Sequence, residues 1–389
     1  MKFATLPDLV GAQGIFTDGD WVESKDQDPD GDVRLIQLAD VGLGNFVNKS
    51  SRYLTSEKAK ELRCTLLKER DILIARMPDP IGRACVFPAI DQSCATVVDV
   101  CVLRVDADIA DANYVAWMIN SPQFLQEVFK HSKGSTRQRI SRKNLAALPI
   151  PLPPLDEQKR IAAILDQADA LRRLRRRALD RLNTLGQAIF RDLFTPDHAQ
   201  VPLSELAELN PRRKFPTTDD YPVTFLPMAA VSEDGSILHE EVRLLSQVRK
   251  GFTYFERGDV LVAKITPCFE NGKGCLTQDI SQDVGFGSTE FHVMRPEGSD
   301  MGKFLHLVAQ SSRFRKEGER SMTGSAGQKR VPADFIANYK VPSPGRYALQ
   351  SLGSRLNAVA PMRRAAETAA VCSDTLFASL QHRAFRGEL

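Results

Sequence analysis

The seven cysteines, at 64, 85, 94, 101, 268, 275 and 372, are scattered, odd in number and never spaced as CxxC. That pattern argues against a disulfide framework and against a zinc site. The six histidines (131, 198, 239, 292, 306, 382) fall in no metal-ligand spacing. There is no GxxxxGK[ST] phosphate loop, so the chain is not expected to hydrolyse ATP. No glycine-rich turn sits between a clear strand and helix. No Asn/Asp-Pro-Pro-aromatic motif of an amino-methyltransferase occurs, the single Pro-Pro lying in "LPPL" (152–155). No GxSxG nucleophile pattern appears. No apolar run approaches a membrane span, and "MKFATLPDLVGAQG" has no apolar signal core. The expectation is a cytoplasmic protein with reduced thiols and no membrane partner. A metal-nuclease motif could be drawn from Pro7-Asp8 and "ESK" (23–25), but its spacing is loose and its glutamate lies in a polar stretch.

What is present is ordinary globular composition over 389 residues, enough for two or three cores, with a net charge of only +3. The distribution of charge is more telling than its sum. "HSKGSTRQRISRK" (131–143) carries five basic side chains and no acidic one, and "LRRLRRRALDR" (171–181) carries six arginines and one aspartate. An arginine run on a helix is ordinarily a solvated face.

The chain is written twice. "ERDILIARM" (69–77) pairs with "RGDVLVAKI" (257–265), an offset of 188 from Asp71 to Asp259. "SPQF" (121–124) pairs with "SSRF" (311–314), and "GSTRQRIS" (134–141) with "GSAGQKRV" (324–331), both at 190. Shared order and near-constant offset mark an internal duplication. Each copy reads as short β-like runs, a helical piece, a basic Gly-Ser loop, prolines, and then a long helix. The fold class expected is mixed α/β, with two tandem α/β domains joined by two long helices that form an antiparallel intramolecular coiled coil. The boundaries expected are 1–150, 151–195, 196–343 and 344–389.

The heptad positions Ile161, Ala168, Arg175, Leu182, Ile189 and Ile164, Leu171, Ala178, Leu185, Asp192 are apolar in eight of ten cases. Adding 188 gives Leu349, Leu356, Arg363, Ala370, Phe377 and Leu352, Val359, Ala366, Ser373, Leu380. Two such seams bury each other most simply within one chain, as a rod of roughly 60 Å. The prolines at 149, 151, 153, 154, 342 and 344 should stop the preceding domain and act as a hinge. Pro361 should bend the second helix or split it in two.

The recurring basic segments nominate nucleic-acid contacts: Arg76, Arg83, Lys133, Ser135, Arg137 and Arg139 in the first copy, and Lys264, Lys273, Ser325, Lys329 and Arg330 in the second. Small residues let the backbone approach phosphate, and arginine reaches phosphate or guanine edges. A plain solubilising loop and a structural turn are the alternatives for these segments.

"IPLPPLDEQKRIAAILDQAD" with "AIFRDLF", "KITPCFENGKG", "LIARMPDPIGRACVFP" and the ending "AFRGEL" resemble segments of the specificity subunit of type I restriction–modification systems. The resemblance covers nearly the whole chain; the start of the second helix, "PSPGRYALQSLGSRL", departs from it. It implies a non-enzymatic subunit that reads the two halves of a split double-stranded DNA target. It also implies two bound methyltransferase subunits, which carry S-adenosylmethionine and methylate adenine, and restriction subunits using ATP and Mg2+. No catalytic residue, metal or cofactor is expected in the chain itself. The residues above that recur at the helix seam (Ile161, Ile164, Leu171, Leu182, Leu185, Ile189, Leu349, Leu352, Leu356, Val359, Phe377, Leu380) would carry the coiled coil and the partner contacts. The alternative is a scaffold whose duplicated domains bind protein or RNA.

Overall fold

The computed structural model describes residues 2–134, 137–195, 198–212, 218, 220–325 and 327–389. The chain divides into two compact units, residues 1–175 with 369–389, and residues 176–368.

In the first unit the strands are β1 (Phe3–Ala4), β2 (Ile15–Thr17), β3 (Val33–Ile36), β4 (Arg52–Leu54), β5 (Ile72–Ala75), β6 (Ala84–Val86), β7 (Cys94–Thr96), β8 (Val100–Arg104) and β9 (Ile150–Pro151). Its helices are α1 (Ser56–Glu61), α2 (Ala112–Ile119), α3 (Pro122–Lys130), α4 (Arg142–Ala146) and the beginning of α5 (Leu155–Leu193). One sheet runs β2-β8-β5-β6, a second β4-β3-β7, and β1 pairs with β9.

The second unit repeats the plan. Its strands are β10 (Gln200–Pro202), β11 (Ala207–Leu209), β12 (Pro222–Leu226), β13 (Glu241–Leu244), β14 (Thr253–Glu256), β15 (Val260–Ala263), β16 (Gly274–Leu276), β17 (Val284–Gly287), β18 (Phe291–Pro296) and β19 (Lys340–Pro342). Its helices are α6 (Leu245–Val248), α7 (Ser299–Gln310), α8 (Ser312–Ser321), α9 (Ala333–Asn338) and the beginning of α10 (Arg346–Ala384). The sheets are β11-β18-β15-β16, β13-β12-β17-β14 and β10-β19. The mixed α/β class and the duplication read from sequence are thus present, with β14 as an added edge strand.

The central strands β5 and β15 are buried along their whole length, as their unbroken apolar runs require. Each is preceded by a buried aspartate. Asp71, fully inaccessible, accepts from Arg104 Nε and Nη2, both at 2.7 Å, and from the Lys68 backbone N–H at 2.8 Å. Asp259 accepts from Arg295 Nε at 2.9 Å and Nη2 at 2.7 Å, and from the Glu256 N–H at 2.7 Å. A buried carboxylate without such partners would be too costly to keep ionised.

The proline segments do not behave as hinges. Pro151 lies in β9 opposite Phe3, and Pro342 lies in β19 opposite Gln200. Proline fits these two-stranded edges because it lacks only a donor.

Each unit contains part of both long helices. In the first, the beginning of α5 runs antiparallel to the end of α10: Arg160 Nη2 donates to Leu389 O at 2.6 Å, and Arg175 Nη1 to Ala369 O at 3.1 Å. Between them the Arg172 guanidinium lies 4.2 Å from the Phe377 ring centre. In the second unit Arg355 meets Asp192 at 2.7 Å, and Leu182, Gly186, Leu356, Val359 and Arg363 line one cavity of 210 Å³.

The seam is not a strict heptad. Ile161, Ile189, Leu352 and Phe377 are buried, whereas Leu171 is 41% and Leu185 36% exposed. Ile164, Leu182, Leu349, Leu356, Val359 and Leu380 are half-buried. The first turns of α5 face α2 as well as α10: Asp166 accepts from Trp117 Nε1 at 2.7 Å and Asn113 Nδ2 at 2.8 Å. That pulls the buried stripe onto Gln158, Ile161, Ala162, Leu165 and Asp169. α10 is one continuous helix through Pro361, where two shorter helices were one alternative; the proline lies on the exposed side.

Asp71→Ala should lower the stability of the first unit by about 3 kcal/mol, because it strands a mostly covered guanidinium. Both tryptophans, Trp21 and Trp117, lie in that unit, so denaturant unfolding followed by tryptophan fluorescence reads it directly. An unchanged midpoint and slope would contradict the role given to this pair.

Candidate nucleic-acid interface

The Gly-Ser segments fold as hairpins at equivalent places. In the first unit the Lys133 N–H donates to Arg139 O at 2.9 Å and the Arg139 N–H to Lys133 O at 2.8 Å. In the second, Thr323 and Arg330 exchange the same bonds at 3.0 and 2.9 Å. Gly134 and Gly324 open the two turns with φ of +107° and +123°. A Cβ at Gly134 would meet Arg137 O at 2.5 Å, and one at Gly324 would meet Gln328 O at 2.9 Å. Only glycine suits both demands.

Both hairpins are tied to the end of the central strand. The Ile140 N–H donates to Arg76 O at 3.1 Å, and the Arg76 N–H to Asp99 O at 2.9 Å. The Val331 N–H donates to Lys264 O, and the Lys264 N–H to Glu290 O, both at 2.8 Å. The structural match therefore pairs Arg139 with Arg330 at an offset of 191, against the 190 of Lys133 and Thr323. The second loop is one residue longer, which the ungapped sequence pairing missed.

The nominated cations separate into two groups. Arg76 and Arg83 are 5% and 7% exposed. Arg76 pairs with Asp18 at 3.0 Å and donates to Val98 O at 2.5 Å. Arg83 donates to four carbonyls: Val41 at 2.6 Å, Leu38 at 2.7 Å, and Met77 and Pro80 at 3.0 Å each. Both side chains are held within the fold, which the sequence could not reveal because Asp18 and Val98 for Arg76, and Leu38 and Val41 for Arg83, are remote in sequence. Lys273, half-buried, donates to Met228 O at 3.4 Å. Lys264 is half-buried beside Glu290.

Lys133, Arg137, Ser325 and Lys329 are exposed, and these three cations make no ion pair with any described residue. Ser135 lies outside the described residues. Arg139 and Arg330 are exposed but engaged, with Asp99 and Glu290 respectively. Arg330 holds Glu290 through two bonds, at 2.8 and 2.9 Å, and so draws that carboxyl below its ordinary range. Arg142 was not singled out from sequence; it is exposed on the same segment, 3.4 Å from Asp18.

The carboxylates that a metal nuclease would need are spent locally. Asp8 accepts from Thr5 N and Oγ1, both at 2.7 Å, and Glu23 pairs with Lys25 at 2.8 Å. Among the described residues no group of three or more His, Cys, Asp or Glu side chains is placed to hold a metal, and no helix is long and apolar enough to cross a membrane.

Replacing Arg83 leaves up to four carbonyls without their donor. Arg83→Ala should cost about 2–3 kcal/mol of stability in the first unit, read by tryptophan fluorescence. Lys133→Ala should shift the same transition by less than about 0.5 kcal/mol. Equal effects would refute the division between structural and free cations.

The model of the type I restriction modification DNA specificity domain matches residues 16–184. The type I restriction enzyme EcoEI specificity subunit of Escherichia coli is 42% identical over 146 residues, covering 37% of this chain and 24% of that protein. The EcoAI specificity subunit of the same organism is 44% identical over 146 residues, covering 36% and 24%. The match thus spans about a quarter of the length of these two relatives. Among solved structures, a type I S subunit from M. genitalium aligns with a TM-score of 0.56 over 99% of this chain and 96% of that one, at 12% identity. A chain from a type I R-M system aligns with a TM-score of 0.55 over 100% and 98%, at 16% identity. These two alignments bear on the fold alone. The chain thus carries a match to the specificity domain over residues 16–184 and shares its fold with these two structures.

Proposed function

We propose that this chain is the non-catalytic DNA-reading subunit of a type I restriction–modification complex, each unit reading one half of a two-part duplex target. The observation that carries the reading is the pair of equivalent hairpins bearing exposed cations that make no ion pair with any described residue, Lys133 and Arg137 in one and Lys329 in the other. On this reading two methyltransferase subunits supply S-adenosylmethionine and methylate adenine in each half-site. Restriction subunits using ATP and Mg2+ join for cleavage in the cytoplasm. Cations at exposed tips fit phosphate, which positions a reader, while side chains beside them meet base edges.

Footprinting on duplex DNA should show two protected patches separated by an unread gap. Lys133→Ala and Arg137→Ala should each weaken binding to all sequences and flatten the slope of log K against log salt by about 0.9. A single protected patch, or unchanged affinity and slope in the double variant, would point to a protein or RNA scaffold instead.

The second expectation concerns the long helices. If they set the spacing of the half-sites, a heptad inserted into α5 near Leu182 with a matching one in α10 near Leu356 lengthens both by roughly 10 Å. That is close to three base pairs of duplex, at about 34–36 Å per turn of 10–10.5 pairs. Methylation mapping of the variant, assembled with its methyltransferase partner, should find the same half-sites with a gap longer by two to four pairs. An unchanged gap in an active complex would assign spacing to the partner subunits.

A further inference from the structure

Two carboxylates that no charge-based search would select stand beside the cationic hairpins. Asp99 Oδ1 lies 2.9 Å from Arg139 Nη2, with side chains 27% and 42% exposed. Glu290 meets Arg330 at 2.8 Å, with 24% and 44% exposed. The backbone hydrogen bonds around the two pairs repeat. Each acid sits one residue before the strand beside the central one, β8 or β18. Its backbone carbonyl accepts from the last position of the central-strand segment, Arg76 or Lys264. That same residue's carbonyl accepts from Ile140 or Val331, which directly follows the paired arginine. The arginine's own backbone closes the hairpin against Lys133 or Thr323.

Two copies whose loops differ in length and share only Gly, Ser and Gln between the closing residues have this arrangement in common. A chance surface ion pair would not be expected at both. An isolated exposed pair adds little stability, so its repetition is better explained by where it holds the loop than by how much it stabilises the fold.

We propose that Arg139–Asp99 and Arg330–Glu290 are positioning pairs: each arginine is turned toward its acid rather than toward DNA, and fixes the reach of the hairpin whose tip meets the duplex. This rests on the DNA-reading function proposed above. It reverses the expectation that Arg139 and Arg330 are themselves DNA contacts.

The sign of one substitution separates the two. Asp99→Asn removes a negative charge close to DNA. If Arg139 touched phosphate, or if only net charge mattered, binding would tighten. If the pair positions the hairpin, binding to the cognate site weakens. The test uses the full chain assembled with its methyltransferase partner, a duplex carrying the site found by methylation mapping, and a scrambled duplex of equal length. Asp99→Asn and Arg139→Gln should each lower the cognate-to-scrambled affinity ratio by at least about threefold, the order of one exposed charge pair. The double variant should be no worse than either single one. The exchange Asp99→Arg with Arg139→Asp should recover part of the loss. The salt slope should stay unchanged throughout, since no phosphate contact is removed. In the other unit, Glu290→Gln and Arg330→Gln should do the same for the other half-site alone.

Tighter binding by Asp99→Asn would overturn the proposal. So would a slope flattened by about 0.9 in Arg139→Gln, which would make that arginine a phosphate contact. Lys133→Ala with Arg137→Ala, made with the pair intact, tests the reading beneath it. If those tips prove silent on both duplexes, the DNA-reading function fails, and the positioning role fails with it. If the tips matter and the pair does not, only the positioning role fails.

Discussion

A four-residue strand in the middle of each unit is held at both ends, and the candidate interface depends on it. At its beginning stands a buried aspartate, Asp71 or Asp259, clamped by two nitrogens of an arginine from the neighbouring strand. At its end the backbone receives the basic hairpin through Arg76 or Lys264. A strand of this length spans only about 13 Å. The ion pair that fixes its start therefore also fixes, through a short and fully hydrogen-bonded segment, the origin of a surface loop. Burial makes the pair all-or-nothing: intact it costs little net, while one missing partner leaves a desolvated charge.

Much of this was legible in the sequence because it depends on short-range pattern. The duplication, the mixed class and the two long helices follow from offsets near 188 and from apolar spacing. What the sequence hid depends on three-dimensional pairing. Arg83 looks like a cation ready for phosphate beside a Pro-Gly turn, yet it is consumed by Leu38, Val41, Met77 and Pro80 carbonyls. Asp99 and Glu290 were invisible to a search for positive charge, and their spacings from Asp71 and Asp259, 28 and 31 residues, differ. The proline runs suggested hinges because X-Pro is extended. Nothing local said that β1 and β10 would pair with them.

The long helices show how a regular pattern yields to its surroundings. A heptad places apolar residues every 3.5 positions, but only a bare two-helix contact enforces that period. Here the first turns of α5 also receive Trp117 and Asn113 through Asp166, and Gln158 satisfies the Asp111 N–H at 2.9 Å. Similar glutamine contacts recur where each unit meets the last turns of a long helix. Gln381 Nε2 donates to Trp117 O at 3.1 Å, and Gln187 Nε2 to Leu307 O at 2.7 Å. Each unit is therefore specified by polar contacts of defined geometry as well as by apolar area. Such contacts leave Leu171 and Leu185 at the surface at small cost.

The repetition also separates what must stay from what is free to vary. Between the two copies the buried Asp–Arg clamp, the strand-end hydrogen bonds, the opening glycine with positive φ and the acid–arginine pair recur. The segment inside them differs in length and charge, with Arg137 in one where Gly327 stands in the other, and with Lys329 added in the second. A hairpin whose two arms are fixed by backbone bonds and one ion pair tolerates such change at its tip, because those bonds lie outside it. The physical condition for changing what a loop contacts without unfolding its domain is that the anchoring groups and the contacting groups be different atoms. In this chain Asp99, Arg139, Glu290, Arg330 and the backbones of Lys133 and Lys329 serve the first role, and the exposed side chains of Lys133, Arg137 and Lys329 are available for the second.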